Sequence, residues 1–169
     1  QQAVCSVLRH LSLRRGVDTK RMGVVSISLG IGMACGALAA NPDLPVQWLV
    51  DWEGPSDREI ITSGQRIMTP ALGHAMNDEV YWGPREARNH VGALRCGYWR
   101  IQARPDHAQG SDVRHAVRML DAAADGALPW FQLNHHPRGR HPQSPNYFDG
   151  GRMAANRALL SALATLRGN

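Results

Sequence analysis

The feature that most constrains this chain is a short apolar run, Met22 to Ile27, that meets Ser28-Leu29-Gly30 and passes at once into the small-residue stretch Ile31 to Ala40. The run is rich in β-branched residues and too short for a helix. It fits a strand buried on both faces. Gly32, Ala34, Gly36 and Ala37 make the following stretch helix-competent, and Asn41-Pro42 ends it, because the residue before proline is pushed out of helical geometry. A strand that becomes a helix within three residues commits the chain to stacking a sheet layer against a helix layer.

The remaining periodicities extend that pattern. Val4, Val7, Leu8 and Leu11 recur at three- and four-residue steps and predict an amphipathic helix ending near Arg15-Gly16. Val46 to Asp51 reads as a second strand, opening into the loop Trp52-Glu53-Gly54-Pro55-Ser56-Asp57. Residues 58–95 have weak periodicity and are expected to form loops and short helices, as a cap or substrate-lining segment. Tyr98 to Ala103 predicts a third strand, Ser111 to Ala124 a helix, Trp130 to Asn134 a fourth strand, and Gly151 to Leu166 the closing helix. This alternation implies a single domain over 1–169 with a three-layer α/β/α architecture and a mainly parallel sheet.

Composition narrows the function classes. With 43% hydrophobic and 20% charged residues the chain is an ordinary globular one, and no apolar run is long enough to span a bilayer. The net charge of +5 comes from scattered arginines, Lys20 being the lone lysine, without an aromatic-interleaved basic stripe, so neither nucleic acid nor membrane is an expected partner. Cys5, Cys35 and Cys96 are widely spaced and are expected to be reduced thiols. Nothing resembling a signal peptide follows Gln1, and a cytoplasmic location is the default expectation.

Ser26 and Gly30 lie two residues either side of Ser28, which is the spacing of a nucleophile elbow, where the tight turn admits only small flanking side chains. Ser26 replaces the usual first glycine. A phosphate loop fits less well, since Gly30-x-Gly32 lacks both the third glycine of a dinucleotide fingerprint and a Gly-Lys-Ser/Thr. The stretch Gly16 to Pro45 resembles the elbow region of dienelactone-hydrolase-like and prolyl-oligopeptidase-like α/β-hydrolases. That resemblance implies a serine hydrolase acting on a small-molecule carboxylic ester or related acyl substrate, with no cofactor. It makes Ser28 the nucleophile and the Leu29 N–H half of an oxyanion hole.

The same resemblance orders the triad as serine, acid, histidine. Asp106, in Ala103-Arg104-Pro105-Asp106-His107, is the expected acid, with Asp51 and Glu53 as alternatives at the end of the preceding strand. The base is expected on the loop after the last strand, with His136 the first choice and His141 and His135 behind it. His107 is read as a loop residue. Trp52 is expected to line the pocket, beyond the carboxyl end of a strand.

The histidines of the last loop also raise the alternative of a metal site, but the helical i, i+4 pair of zinc peptidases is absent, and none is expected. A prolyl-oligopeptidase-like peptidase and a noncatalytic module of the same fold are the rival readings. The fold normally places strands ahead of the elbow strand. The chain is therefore expected to be part of a longer fold, or to complete its sheet through a homo-oligomer.

Overall fold

In the computed structural model, the structure describes residues 1–63, 73–134, 136–137, 148–149 and 151–168. Helix α1 (Gln2–Ser12) leads through a 3₁₀ turn (Thr19–Arg21) into β1 (Gly23–Ile27), then α2 (Gly30–Ala40) and β2 (Trp48–Trp52). Three short helices, α3 (Arg58–Ser63), α4 (Glu79–Trp82) and α5 (Arg88–Val91), precede β3 (Gly97–Ile101) and β4 (Ala103–Arg104). The chain continues through α6 (Arg114–Ala124), β5 (Phe131–Leu133), β6 (His136–Pro137) and β7 (Phe148–Asp149) into α7 (Gly151–Gly168).

Strands β1, β2, β3 and β5 are parallel neighbours in that order, β6 adds antiparallel beside β5, and β4 pairs with β7 in a small second sheet. The expected three-layer, mainly parallel architecture is therefore present. Side chains alternate between faces with the strand period of two. Leu49 and Tyr98 join Cys5, Leu8, Ile31, Cys35, Met119 and Ala123 in a core under α1, α2 and α6. Val50, Trp99 and Ile101 face the other way and pack on Ala158 and Ala162 of α7. A fully buried Leu or Ile side chain contributes about 1.5–3 kcal/mol, and Ile31, Leu49, Ile101 and Leu133 are all essentially inaccessible.

The predicted third strand is broken. Gln102 separates β3 from β4 because its N–H donates to the side-chain oxygen of Asn134 (2.9 Å) rather than to a neighbouring strand. Among the described residues β1 is an edge strand, with Val25 and Ile27 at 39% and 56% exposure. At the amino ends of the strands, two tryptophans lie over glycines. A Cβ on Gly23 would fall 2.2 Å from the Trp48 ring, and one on Gly97 would fall 2.0 Å from Trp130.

Candidate active site

Three parallel strands end in the same local device. Ser28, Glu53 and Asn134 each follow the last residue of β1, β2 and β5, and each has a positive φ (53°, 50° and 52°). Their N–H groups donate to the adjacent strand: Ser28 to Trp52 O (3.0 Å), Glu53 to Ile101 O (3.0 Å) and Asn134 to Arg100 O (2.8 Å). Asparagine adopts left-handed backbone readily, whereas serine and glutamate are uncommon there. Such strain persists only where the surroundings enforce it, and it concentrates at working sites.

The strained turn lifts Ser28 to the carboxyl end of the sheet, where His107 meets it. The His107 Nε2 lies 3.0 Å from Ser28 Oγ, and its Nδ1 lies 2.8 Å from Glu53 Oε2. Glu53 is 2% exposed and further held by the backbone N–H groups of Ala103 (2.9 Å, to Oε1) and His107 (3.2 Å, to Oε2). The Trp52 ring stacks on the imidazole at 4.8 Å between centroids. The sequence placed Trp52 on the following loop, but it is the last residue of β2 and buried, so it supports the histidine from behind. A cavity of about 230 Å³ opens over this group and is also lined by Leu29, Ile61 and Gln109.

Asp106, the acid expected from sequence, is adjacent but differently engaged. Its Oδ1 accepts the N–H groups of Ala108 (2.7 Å) and Gln109 (2.8 Å), and its Oδ2 accepts from Gln102 Nε2 (2.9 Å). It stands 3.6 Å from His107 Nδ1 and 3.3 Å from His115 Nε2. Burial pushes this carboxyl up, but the hydrogen bonds from His115, Gln102 and Ala108 outweigh it and hold the group well below the usual carboxylate range. Asp106 thus fastens the turn that carries His107, and the carboxylate on the imidazole is that of Glu53.

Of the other residues singled out from sequence, Asp51 is buried in an ion pair with Arg100 (2.5 Å) and accepts the Tyr98 hydroxyl (2.6 Å), too deep to face the cavity. His136 contributes its backbone to β6, and its side chain lies outside the described residues, as do His135 and His141. Sequence reasoning reads His107 as a loop residue because fold precedent places the base later in the chain. The available signal was an Asp-His pair directly after Pro105, at the carboxyl end of the β3–β4 segment.

A buried relay lies beneath the site. Arg100 Nη2 is 2.9 Å from His115 Nδ1, and Arg100 also donates to Gly54 O (2.6 Å) and Gln102 Oε1 (2.6 Å). His115 Nδ1 also lies 3.0 Å from Gly54 O, and its Nε2 is turned toward Asp106 Oδ2 at 3.3 Å. Glu53, Asp106 and His107 bring one donor atom each within 4.8 Å of one another, the spacing a cation would need. Each carboxylate oxygen already accepts at least one N–H, with which a metal would share the lone pairs.

Residues 58–63 and 73–95 approach the same end of the sheet. Arg85 packs its carbonyl against α2 so closely that a Cβ on Gly32 would fall 2.3 Å from it. Arg58 joins Glu79 (2.6 Å) to Glu86 (2.5 Å), and Arg88 pairs with Asp57 (3.4 Å), tying the segment to the loop after β2.

No protein-family model matches the sequence, and no curated protein is similar to it at a significant level. Solved structures are similar in fold. A puromycin hydrolase superposes with a TM-score of 0.68 at 16% identity, over 97% of this chain and 24% of that one. The Porphyromonas gingivalis dipeptidyl peptidase 4 gives 0.71 at 10% identity, over 99% of this chain and 22% of that one. Acetyl xylan esterase 1 from Thermoanaerobacterium gives 0.63 at 13% identity, over 97% and 51%. The chain spans about a quarter to a half of the length of these structures. The strand-turn-helix at Ser28, the parallel sheet and these superpositions together identify the chain as part of an α/β-hydrolase fold.

Proposed function

We propose that this chain is the catalytic portion of a serine hydrolase that cleaves a carboxylic ester or related acyl substrate, with Ser28 as nucleophile, His107 as base and Glu53 as the acid that orients it. The observation that carries the reading is the continuous line from Glu53 Oε2 through His107 to Ser28 Oγ, at 2.8 and 3.0 Å.

In this mechanism Ser28 Oγ attacks the substrate carbonyl carbon while its proton passes to His107 Nε2. Glu53 holds the Nδ1 proton and stabilises the imidazolium. The oxyanion is received by the Leu29 N–H at the start of α2. His107 then returns the proton to the leaving group, and a water activated by the same imidazole hydrolyses the acyl-enzyme. The puromycin hydrolase and acetyl xylan esterase among the fold's relatives are named for hydrolysis of acyl bonds, which supports the class and leaves ester and peptide substrates to experiment.

Labelling with a fluorophosphonate probe tests the reading. Intact protein is expected to label, and Ser28→Ala and His107→Gln to lose labelling. An intact protein that never labels would favour a noncatalytic module. A second arrangement keeps Ser28 but takes its base from His136, as fold precedent suggests. Labelling that survives His107→Gln and vanishes in His136→Gln would select it.

A further inference from the structure

Beside the reacting end lies a second, larger cavity of about 620 Å³ that shares Leu29 and Ile61 with the first and continues over Met33, Tyr81, Trp82 and Arg85. Leu29, Met33, Ile61 and Trp82 give it apolar wall, and Gln1, Gln2 and Arg85 supply its polar lining. Among the described residues, Arg58, Arg88, Arg100, Arg114 and Arg118 each pair with a carboxylate. Arg85 does not. Its guanidinium lies over the Tyr81 ring, 4.0 Å from the centroid, and its Nη1 donates to Tyr81 O at 2.6 Å.

We propose that this cavity is a specificity pocket for an acyl substrate whose arm is apolar along its length and ends in a carboxylate, received by Arg85. The assignment takes the position of Ser28 from the proposed function. The Tyr81 stack and the Nη1 bond hold the guanidinium plane in place while using few of its five N–H donors. A guanidinium so held offers a planar fork that matches a carboxylate. The backbone carbonyl of Arg85 rests against Gly32 of α2, and Leu29 and Ile61 line both this cavity and the one over Ser28, so the two spaces adjoin.

Calorimetric titration with 4-phenylbutyrate and with its neutral amide tests the assignment without turnover. The carboxylate is expected to bind the wild-type chain at least tenfold more tightly than the amide. Arg85→Gln should abolish that preference, and Arg85→Lys should restore part of it. Equal affinity for acid and amide, no binding of either, or a preference that survives Arg85→Gln would overturn the proposal. Selective carboxylate binding by a chain that never labels with fluorophosphonate would instead count against the hydrolase reading alone.

Discussion

Ser28 and Glu53 hold matching left-handed backbone at the ends of adjacent parallel strands, and the Ser28 N–H is bound by the carbonyl of Trp52, the residue directly before Glu53. Ser28 and Glu53, the proposed nucleophile and acid, are therefore placed by one repeated strand ending, and His107 bridges them from a turn fastened by Asp106.

The strain at Ser28 is measurable. Ser28→Gly removes the side chain that disfavours a φ of 53° and should raise stability by about 1 kcal/mol in urea unfolding, whereas Ser28→Ala should not. Both variants should be inactive toward an ester that the wild type turns over.

Glu53→Gln preserves shape but removes the charge that stabilises the imidazolium. A loss of roughly 100- to 10,000-fold in kcat is expected. Asp106→Asn should act chiefly on stability, and kinetics in which it matches Glu53→Gln in a fully folded protein would reassign the acid to Asp106.

Acid should weaken the fold through Asp106. Its folded-state carboxyl is held below the unfolded value of about 3.9, so it binds protons more weakly when folded. Its contribution is thus present above pH ~4 and is lost as pH falls through the range down to the folded value. The urea midpoint of Asp106→Asn should lie furthest below that of wild type at pH 7, and the gap should narrow as pH falls below ~4 while part of it persists at pH 3.

His115→Leu should destabilise the protein by roughly 2–5 kcal/mol, since it leaves the buried Arg100 Nη2 and Asp106 Oδ2 each short of a partner. Thermal or denaturant unfolding reads this directly. A change under 1 kcal/mol would show that the relay is not held as described.

The local elements were legible in sequence where local physics decides them. The β-branched run before Ser28 and the small residues after it sufficed to place β1, the turn and α2, and the aromatic run from Gly97 sufficed for β3. The proposed acid and base are less legible: the sequence offers Glu53 only as an alternative to Asp106 and reads His107 as a loop residue. Glu53 and His107 stand 54 residues apart and His107 and Ser28 stand 79 apart, and only the parallel register brings them together. Precedent pointed to Asp106, and nothing local reveals that Gln102, His115 and two backbone N–H groups already occupy it. The break at Gln102 has the same origin, since the Asn134 side chain that causes it belongs to the end of another strand.

The tryptophans laid over Gly23 and Gly97 act at the end of the sheet far from the chemistry. A parallel strand that slips by one residue turns every side chain to the opposite face. Here a slip would also drive a Cβ-bearing residue under an indole ring. The flat rings therefore work as keys: by fitting only where the neighbouring strand has no side chain, they fix at one end of the sheet which residues face each other at the other. The alignment of Ser28 with Glu53 is thus keyed by Gly23 and Trp48 at the opposite end of β1 and β2, as Gly97 and Trp130 key β3 to β5.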